Sequence, residues 1–209
     1  MTPDSRIRIM LVDDHPLLRE GVASVVARQS DMQLIAEATD GEQAIAQFRQ
    51  WQPDITLMDL QMPGVGGVEA IRAITGEFPQ ARIIVLTTYR GDVQALRALK
   101  AGAMGYLLKS MLRKDLLDTI RQVHAGRRSI PPEIANEIAT HVADDALSSR
   151  EVEVLGQVAG GRSNKVIAAQ MGISEETVKT HMKSILAKLD ANDRTHAVTI
   201  ALKRGILDV

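Results

Sequence analysis

Residues 7–14 read IRIMLVDD, a short aliphatic run that ends in two carboxylates. Stretches with helical spacing separate this run from four similar ones further along the chain. Short continuous apolar runs are typical of parallel strands that are covered on both faces. Strands that alternate with helices predict a doubly wound α/β domain with a five-stranded parallel sheet over residues 1–125. The other four runs are Leu34–Ala38, Ile55–Met58, Ile83–Leu86 and Tyr106–Leu108.

The first predicted helix begins at Pro16, a residue suited to a first helical turn. Its predicted apolar stripe comprises Leu17, Leu18, Val22, Val25 and Val26.

The pattern changes after residue 125. Residues 126–146 contain Gly126 and a Pro-Pro pair and are predicted to be a linker with room for one helix. Residues 147–209 contain no strand-like run and predict four short helices, the first opened by a capping box of Ser148 and Glu151. Only Gly172-Ile173 separates the second and third of these helices, which is the spacing of a helix-turn-helix.

Composition limits the possible functions of the chain. Its 209 residues allow one large domain or two small ones, and the absence of cysteine excludes disulfides and thiol catalysis. No apolar run reaches the length of about 18 residues that a membrane span needs, and the N-terminus lacks the pattern of a signal peptide. A cytoplasmic protein without a membrane partner is therefore expected. The net charge of −1 argues against a nucleic-acid binder for the chain as a whole, but residues 147–209 alone carry 9 basic and 7 acidic groups.

Polar residues follow four of the predicted strands. They are Asp13 with Asp14, Asp59, Thr87 and Lys109. Because ligands of an open parallel sheet bind at the carboxyl ends of its strands, these side chains are expected to share one site. Three carboxylates repel each other unless a cation joins them, and oxygen ligands favour Mg²⁺ or a similar divalent ion such as Mn²⁺. Lys109 could bind a phosphate, and an aspartate can accept a phosphoryl group.

This set, with Asp59 inside Leu57-Met58-Asp59-Leu60-Gln61-Met62-Pro63-Gly64, resembles the receiver domain of bacterial two-component response regulators. The resemblance implies that Asp59 accepts a phosphoryl group from a sensor histidine kinase. It implies that Asp13, Asp14, Asp59 and the backbone carbonyl of Gln61 hold the metal ion. Lys109 would pair with the phosphate, and Thr87 and Tyr106 would move in response. The sequence departs from the family at Gly66, which precedes Gly67 where many members have an acidic or amide residue, and at Ser110, where many have proline.

The third C-terminal helix has two distinct faces. Val178, Met182 and Ile185 lie on a core stripe, whereas Lys179, Thr180 and Lys183 lie on the outer face. This helix, the segment before it and residues 188–198 resemble the LuxR-type helix-turn-helix. That resemblance implies base contacts by the three outer residues and backbone contacts by Asn164, Lys165, Thr177 and Arg194. It also implies that two copies pair through Val198, Ala201 and Leu202. Val166 stands where the family usually has glutamate, so Ser163 lacks its capping-box partner.

Together the two resemblances imply a response regulator of the NarL/FixJ layout. The expected protein is a DNA-binding transcriptional regulator that forms a homodimer on promoter DNA once it is phosphorylated, and it is not an enzyme. Before phosphorylation, the receiver either covers the recognition helix or fails to dimerise. Two alternatives remain open at this point: a phosphatase that uses aspartyl-phosphate chemistry, and a constitutive DNA binder whose receiver only dimerises.

Overall fold

The computed structural model of the protein describes residues 6–88, 92–142 and 147–207. Among the described residues, 6–88 and 95–132 form one compact unit, and 92–94, 133–142 and 147–207 form a second. Within the described residues, no helix combines the length and apolarity that crossing a membrane requires.

The first unit contains a parallel five-stranded sheet, which confirms the predicted fold class. The strand order is β2-β1-β3-β4-β5. The strands are β1 (Ile7–Val12), β2 (Met32–Ala38), β3 (Ile55–Asp59), β4 (Ile83–Thr87) and β5 (Gly105–Leu108). The helices are α1 (Pro16–Ala27), α2 (Gly41–Trp51), α3 (Gly67–Glu77), α4 (Asp92–Lys100) and α5 (Leu112–His124), and a short 3-10 helix spans Lys109–Met111.

The sheet is buried on both faces, as its aliphatic strands predict. In β1, Ile9 and Leu11 pack in one core cluster with side chains of α1 and α5. Met10 and Val12 point to the opposite face because side chains alternate along a strand, and they are also fully buried. Nearly all polar groups of the strands are therefore excluded from the interior, except at the carboxyl edge.

The predicted apolar stripe of α1 is wrong at Leu17 and Val25. The structure leaves 84% of Leu17 and 36% of Val25 exposed, whereas Val22 and Val26 are buried. Leu18, Val22 and Val26 follow one another at intervals of four residues, so they share one face of the helix. Leu17 and Val25 each precede a residue of that line by one position, so both are turned about 100° away from it.

The segment after α5 is tied to the edge of the sheet. Ser129 forms a parallel bridge with Gly105, and the Tyr106 N–H donates to the Ser129 carbonyl at 2.8 Å. Helix α6 follows at Pro132–Val142. The remainder of the predicted linker, residues 143–146, lies outside the described residues.

The second unit contains the four predicted C-terminal helices. They are α7 (Ser149–Ala159), α8 (Asn164–Met171), α9 (Glu175–Lys188) and α10 (Arg194–Arg204). Gly172 has a φ of 65° and ends α8 in the left-handed conformation, which favours glycine. Ser163 occupies the N-cap position of α8, but its side chain forms no capping bond, so a capping role for this serine is not seen.

A buried carboxylate joins α7 to α9. Glu151 completes the predicted capping box, since its Oε2 accepts from the Ser148 N–H at 2.7 Å. Its Oε1 accepts from the Ser184 hydroxyl at 2.6 Å, and Lys188 Nζ lies 3.0 Å from Oε2. Burial opposes the charge, but the bonds from Ser184, Ser148 and Lys188 outweigh it and lower the pKa of Glu151 to about 2. This carboxylate therefore fixes α9 against α7.

Replacing Glu151 should destabilise the helical unit specifically. We expect Glu151→Gln to reduce the free energy of unfolding of this unit by about 2–3 kcal/mol, because bonds to a charged group are lost. Amide hydrogen exchange in α7 and α9 of the full chain measures the effect. Glu153→Gln is the matched control, since Glu153 is exposed and pairs only with Arg150 among the described residues. Equal losses in both variants would contradict the role of Glu151.

The same network predicts an acid-sensitive stability. The folded pKa of about 2 lies below the ordinary value of 4.5, so the charged form is favoured by folding. Its contribution is complete above pH 4.5 and is lost as the pH falls toward 2. Exchange protection of α7 should fall over this window more steeply in the wild type than in Glu151→Gln, and parallel curves would contradict the account.

Candidate functional site

Two buried carboxylates and one ammonium meet at the carboxyl edge of the sheet. Asp13 follows β1, Asp59 ends β3, and both side chains are almost fully buried. Lys109 begins the 3-10 helix after β5, and its Nζ lies 2.8 Å from Asp13 Oδ2 and 2.6 Å from Asp59 Oδ2. The expectation that residues after separate strands would share one site therefore agrees with the geometry for these three residues.

Burial outweighs hydrogen bonding in setting the pKa of Asp59, and the reverse holds for the pKa of Lys109. Burial raises the pKa of Asp59, and the bonds from Lys109 and the Gln61 N–H only partly offset it. Burial also opposes the charge of Lys109, but its bonds to Asp13 and Asp59 raise the pKa of Lys109 overall. A carboxylate whose charge is incompletely compensated gains from any further cation placed beside it.

Asp14 lies at the rim of the same site, where its side chain is 33% exposed. Its neighbour His15 is a site residue that the sequence analysis missed. His15 Nδ1 lies 2.8 Å from Asp14 Oδ1 and 3.1 Å from Asp13 Oδ1. Its position directly after the carboxylate pair at a strand end is the signal that could have identified it.

The three remaining predicted residues of this edge are Gln61, Thr87 and Tyr106. The Gln61 N–H donates to Asp59 Oδ1 at 3.1 Å. Thr87 ends β4, directly after the residue that pairs with Asp59, and is fully buried. Tyr106 lies in β5 with 1% of its surface exposed. Thr87 thus ends the strand that lies between Asp59 and Lys109, and Tyr106 lies in the strand that Lys109 follows.

The loop after Asp59 is held close to the sheet. A Cβ at Gly67 would lie 2.0 Å from the carbonyl oxygen of Asp59, so only glycine fits there. The Gly67 N–H donates to the Leu60 carbonyl, and the Gly41 N–H donates to the Val65 carbonyl, both at 3.1 Å. These two backbone bonds anchor the loop. Gly66 occupies the N-cap position of α3 but has no side chain to form a capping bond.

The acidic cluster has the donor chemistry of a divalent-ion site. Asp13, Asp14, His15 and Asp59 each offer a ligand atom, and these atoms lie within 4.8 Å of one another. Carboxylate oxygens at this density suit Mg²⁺ or Mn²⁺. The residues present therefore fit the ion that the receiver resemblance implies.

The predicted base-contacting residues of α9 lie on its exposed face. Lys179, Thr180 and Lys183 are all exposed, whereas Val178 and Ile185 are fully buried. Lys179 Nζ lies 3.1 Å from Glu176 Oε2, and the Thr180 hydroxyl donates to the Glu176 carbonyl. An exposed ion pair of this kind contributes little and can exchange for another anion.

The predicted backbone-contacting residues lie near the N-termini of three helices. Asn164 and Lys165 open α8, Thr177 lies in the first turn of α9, and Arg194 opens α10. The Thr177 N–H donates to Ser174 Oγ at 3.0 Å, and Arg194 Nη2 donates to the Arg162 carbonyl at 2.9 Å. N–H groups at helix N-termini favour phosphate.

The predicted pairing surface on α10 needs one correction. Ala201 is fully buried in the core of the helical unit and offers no surface to a second copy. Val198 and Leu202 are half-buried. Val198 also lines a groove with Val158, Ala159, Arg194 and Thr195. The sequence pattern alone did not show which of these residues of α10 faces the core.

Two family models match the chain. Residues 9–121 match the response regulator receiver domain, and residues 145–201 match the bacterial regulatory proteins of the luxR family. Among the described residues, these ranges contain the acidic edge of the sheet and helices α7 to α9. The two sites therefore belong to two different family modules.

Relatives share both modules over their whole length. The chain is 40% identical over 213 residues to YxjL of Bacillus subtilis (strain 168), named an uncharacterized transcriptional regulatory protein, with 97% of this chain and 98% of the relative covered. It is 37% identical over 206 residues to the response regulator protein VraR of Staphylococcus aureus (strain NCTC 8325 / PS 47), with 96% and 99% covered. The crystal structure of the response regulator ChrA of a heme-sensing two-component system matches with a TM-score of 0.58 and 38% identity, covering 97% and 100% of the two chains. The chain therefore belongs to the two-component response regulators that join a receiver domain to a LuxR-type DNA-binding domain.

Proposed function

We propose that this protein is a transcriptional regulator whose DNA binding is controlled by phosphorylation of Asp59. Membership of a transcription-regulator family supports regulation of transcription, and the geometry of the sheet edge supports the control. The observation that carries the proposal is Lys109, whose ammonium lies between the carboxylates of Asp13 and Asp59. A phosphoryl group on Asp59 would add negative charge beside the buried ammonium of Lys109.

The phosphoryl transfer needs a carboxylate nucleophile whose negative charge is only partly compensated by its neighbours. An oxygen of Asp59 attacks the phosphorus of a phosphohistidine on a sensor histidine kinase; the O–P bond forms as the N–P bond breaks, and the histidine of the kinase leaves. Lys109 then exchanges its contact with the carboxylate of Asp59 for a phosphoryl oxygen. The Gln61 N–H, already bonded to Asp59, holds the acceptor side chain in orientation.

A divalent cation belongs to this proposal. Asp13, Asp14, Asp59 and the backbone carbonyl of Gln61 would hold Mg²⁺, or Mn²⁺ in its place. Bound there, the ion supplies positive charge that stabilises the phosphoryl oxygens during transfer. It would also offset the burial that raises the pKa of Asp59.

Thr87 and Tyr106 connect the phosphorylated edge to the rest of the receiver. The new charge attracts the Thr87 hydroxyl, and Tyr106 changes rotamer in the space that Thr87 leaves. Both side chains are buried, so a small shift must repack their neighbours rather than be absorbed by solvent. The result is a population shift toward a receiver that pairs with a second copy.

Pairing brings two recognition helices to two half-sites of double-stranded promoter DNA. Lys179, Thr180 and Lys183 contact base edges, and Asn164, Lys165, Thr177 and Arg194 contact the backbone. Val198 and Leu202 offer the pairing surface on α10. Residues 147–209 carry a net charge of only +2. One copy would therefore bind DNA weakly, and strong binding would need both copies of the homodimer.

We assign residues 1–125 to the receiver, 126–146 to the linker and 147–209 to the DNA-binding domain. The predicted cytoplasmic location fits a partner kinase and promoter DNA.

The two alternatives are less well supported. Phosphatases that form an aspartyl-phosphate place a second aspartate two residues after the nucleophile, and this chain has Gln61 there. A constitutive DNA binder would have no need for the set of Asp13, Asp14, Asp59 and Lys109 that the sheet brings together.

The Asp59→Asn variant should lose phosphoryl incorporation. With acetyl phosphate and Mg²⁺, intact-mass spectrometry should show one added phosphoryl group on the wild type and none on the variant, because an amide oxygen is a poor nucleophile. Asp40→Asn is the matched control: Asp40 caps α2, and asparagine caps equally well. Equal incorporation in Asp59→Asn and the wild type would contradict the assignment.

Lysines of α9 and α8 should differ in what they contribute to DNA binding. We expect Lys179→Ala to cost about 1–3 kcal/mol on DNA selected by the wild-type protein and much less on random DNA. We expect Lys165→Ala to weaken both equally and to reduce the salt slope by about 1. Titrations of both DNAs at several salt concentrations measure this, and equal losses on both DNAs for Lys179→Ala would count against base reading.

A further inference from the structure

His15 is held against the acidic edge of the sheet and is also open to solvent. Its backbone N–H donates to Asp13 Oδ1 at 2.9 Å, and its Nδ1 lies 2.8 Å from Asp14 Oδ1 and 3.1 Å from Asp13 Oδ1. The side chain is 65% exposed. The Nδ1 nitrogen of His15 therefore lies beside two carboxylates at the entrance of the site.

The imidazole is not needed to begin α1. His15 occupies the N-cap position, but its side chain forms no capping bond, and Pro16 supplies the start of the helix. The contacts of Nδ1 go to the acidic cluster instead. The placement of this ring thus needs a reason other than helix formation.

The spacing of the donor atoms fits coordination of one ion. Neighbouring ligands around an octahedral ion at about 2.1 Å are about 3.0 Å apart, and ligands on opposite sides are about 4.2 Å apart. The two Nδ1–oxygen distances match the first value. The full set of Asp13, Asp14, His15 and Asp59 lies within 4.8 Å, so small side-chain movements bring it to the second.

We propose that His15 supplies a nitrogen ligand to the divalent-ion site and raises its affinity for nitrogen-binding first-row metal ions. This inference rests on the proposed function, which places a divalent ion on Asp14 and Asp59. Mg²⁺ prefers oxygen and keeps its waters, so it gains little from an imidazole. Ni²⁺, Co²⁺ and Zn²⁺ bind imidazole well, so they gain most from this residue.

Metal titration of the full chain tests the inference directly. The affinities for Mg²⁺ and for Ni²⁺ are measured separately by calorimetry, at one fixed pH and in one buffer. We expect His15→Ala to lose Ni²⁺ affinity by about tenfold or more, in line with the loss of a metal ligand, and to keep Mg²⁺ affinity within about twofold. His124→Ala, which removes a half-exposed histidine at the end of α5, is the matched control and should leave both affinities unchanged.

A second variant separates ligation from simple support of the carboxylates. His15→Gln keeps an N–H donor for Asp13 and Asp14 but has no imidazole nitrogen, so it should lose Ni²⁺ affinity as His15→Ala does. Retained Ni²⁺ affinity in either variant, or equal losses for Mg²⁺ and Ni²⁺, would overturn the inference. If the wild type binds neither ion while Asp59 still accepts a phosphoryl group, the metal site fails and phosphorylation stands.

Discussion

The ammonium of Lys109, held between the carboxylates of Asp13 and Asp59, is the contact on which the receiver edge depends. Each carboxylate is buried, and two such charges at one edge repel unless a cation lies between them. The sheet order places β4 between Asp59 and Lys109, so the lysine side chain must reach across the strand that ends in Thr87. Any group that draws Lys109 away or adds charge to Asp59 therefore changes the contacts at the ends of both β4 and β5. This links chemistry at one carboxylate to packing of the whole edge.

Each unit contains a buried carboxylate, and the pKa values of the two are shifted in opposite directions. Glu151 receives bonds from Ser148, Ser184 and Lys188, and these lower its pKa to about 2. Asp59 receives bonds from Lys109 and the Gln61 N–H, and burial still raises its pKa. The first carboxylate is satisfied and joins two helices. The charge of the second is only partly compensated, as expected for the proposed phosphoryl acceptor and metal ligand.

Much of this could be predicted from sequence because strand ends and helix caps are local signals. The aliphatic runs located all five strands, and Ser148 with Glu151 marked the start of α7. The sequence could not show that Glu151 also reaches Ser184 and Lys188, more than 30 residues away, or that Ala201 faces inward. Leu17 and Val25 were misplaced because two adjacent hydrophobic residues do not show which of them faces the core. His15 follows Asp13 and Asp14 in the sequence, but the contacts of its ring with both carboxylates are seen only in the structure.

The central claim is that phosphorylation of Asp59 controls DNA binding. Its most direct test is the affinity of the full chain for DNA selected by the phosphorylated wild type, measured with and without acetyl phosphate. We predict that the phosphodonor raises the affinity of the wild type and leaves that of Asp59→Asn unchanged. A wild type that binds this DNA equally well in both conditions, or an Asp59→Asn protein that gains affinity with the phosphodonor, would contradict the account.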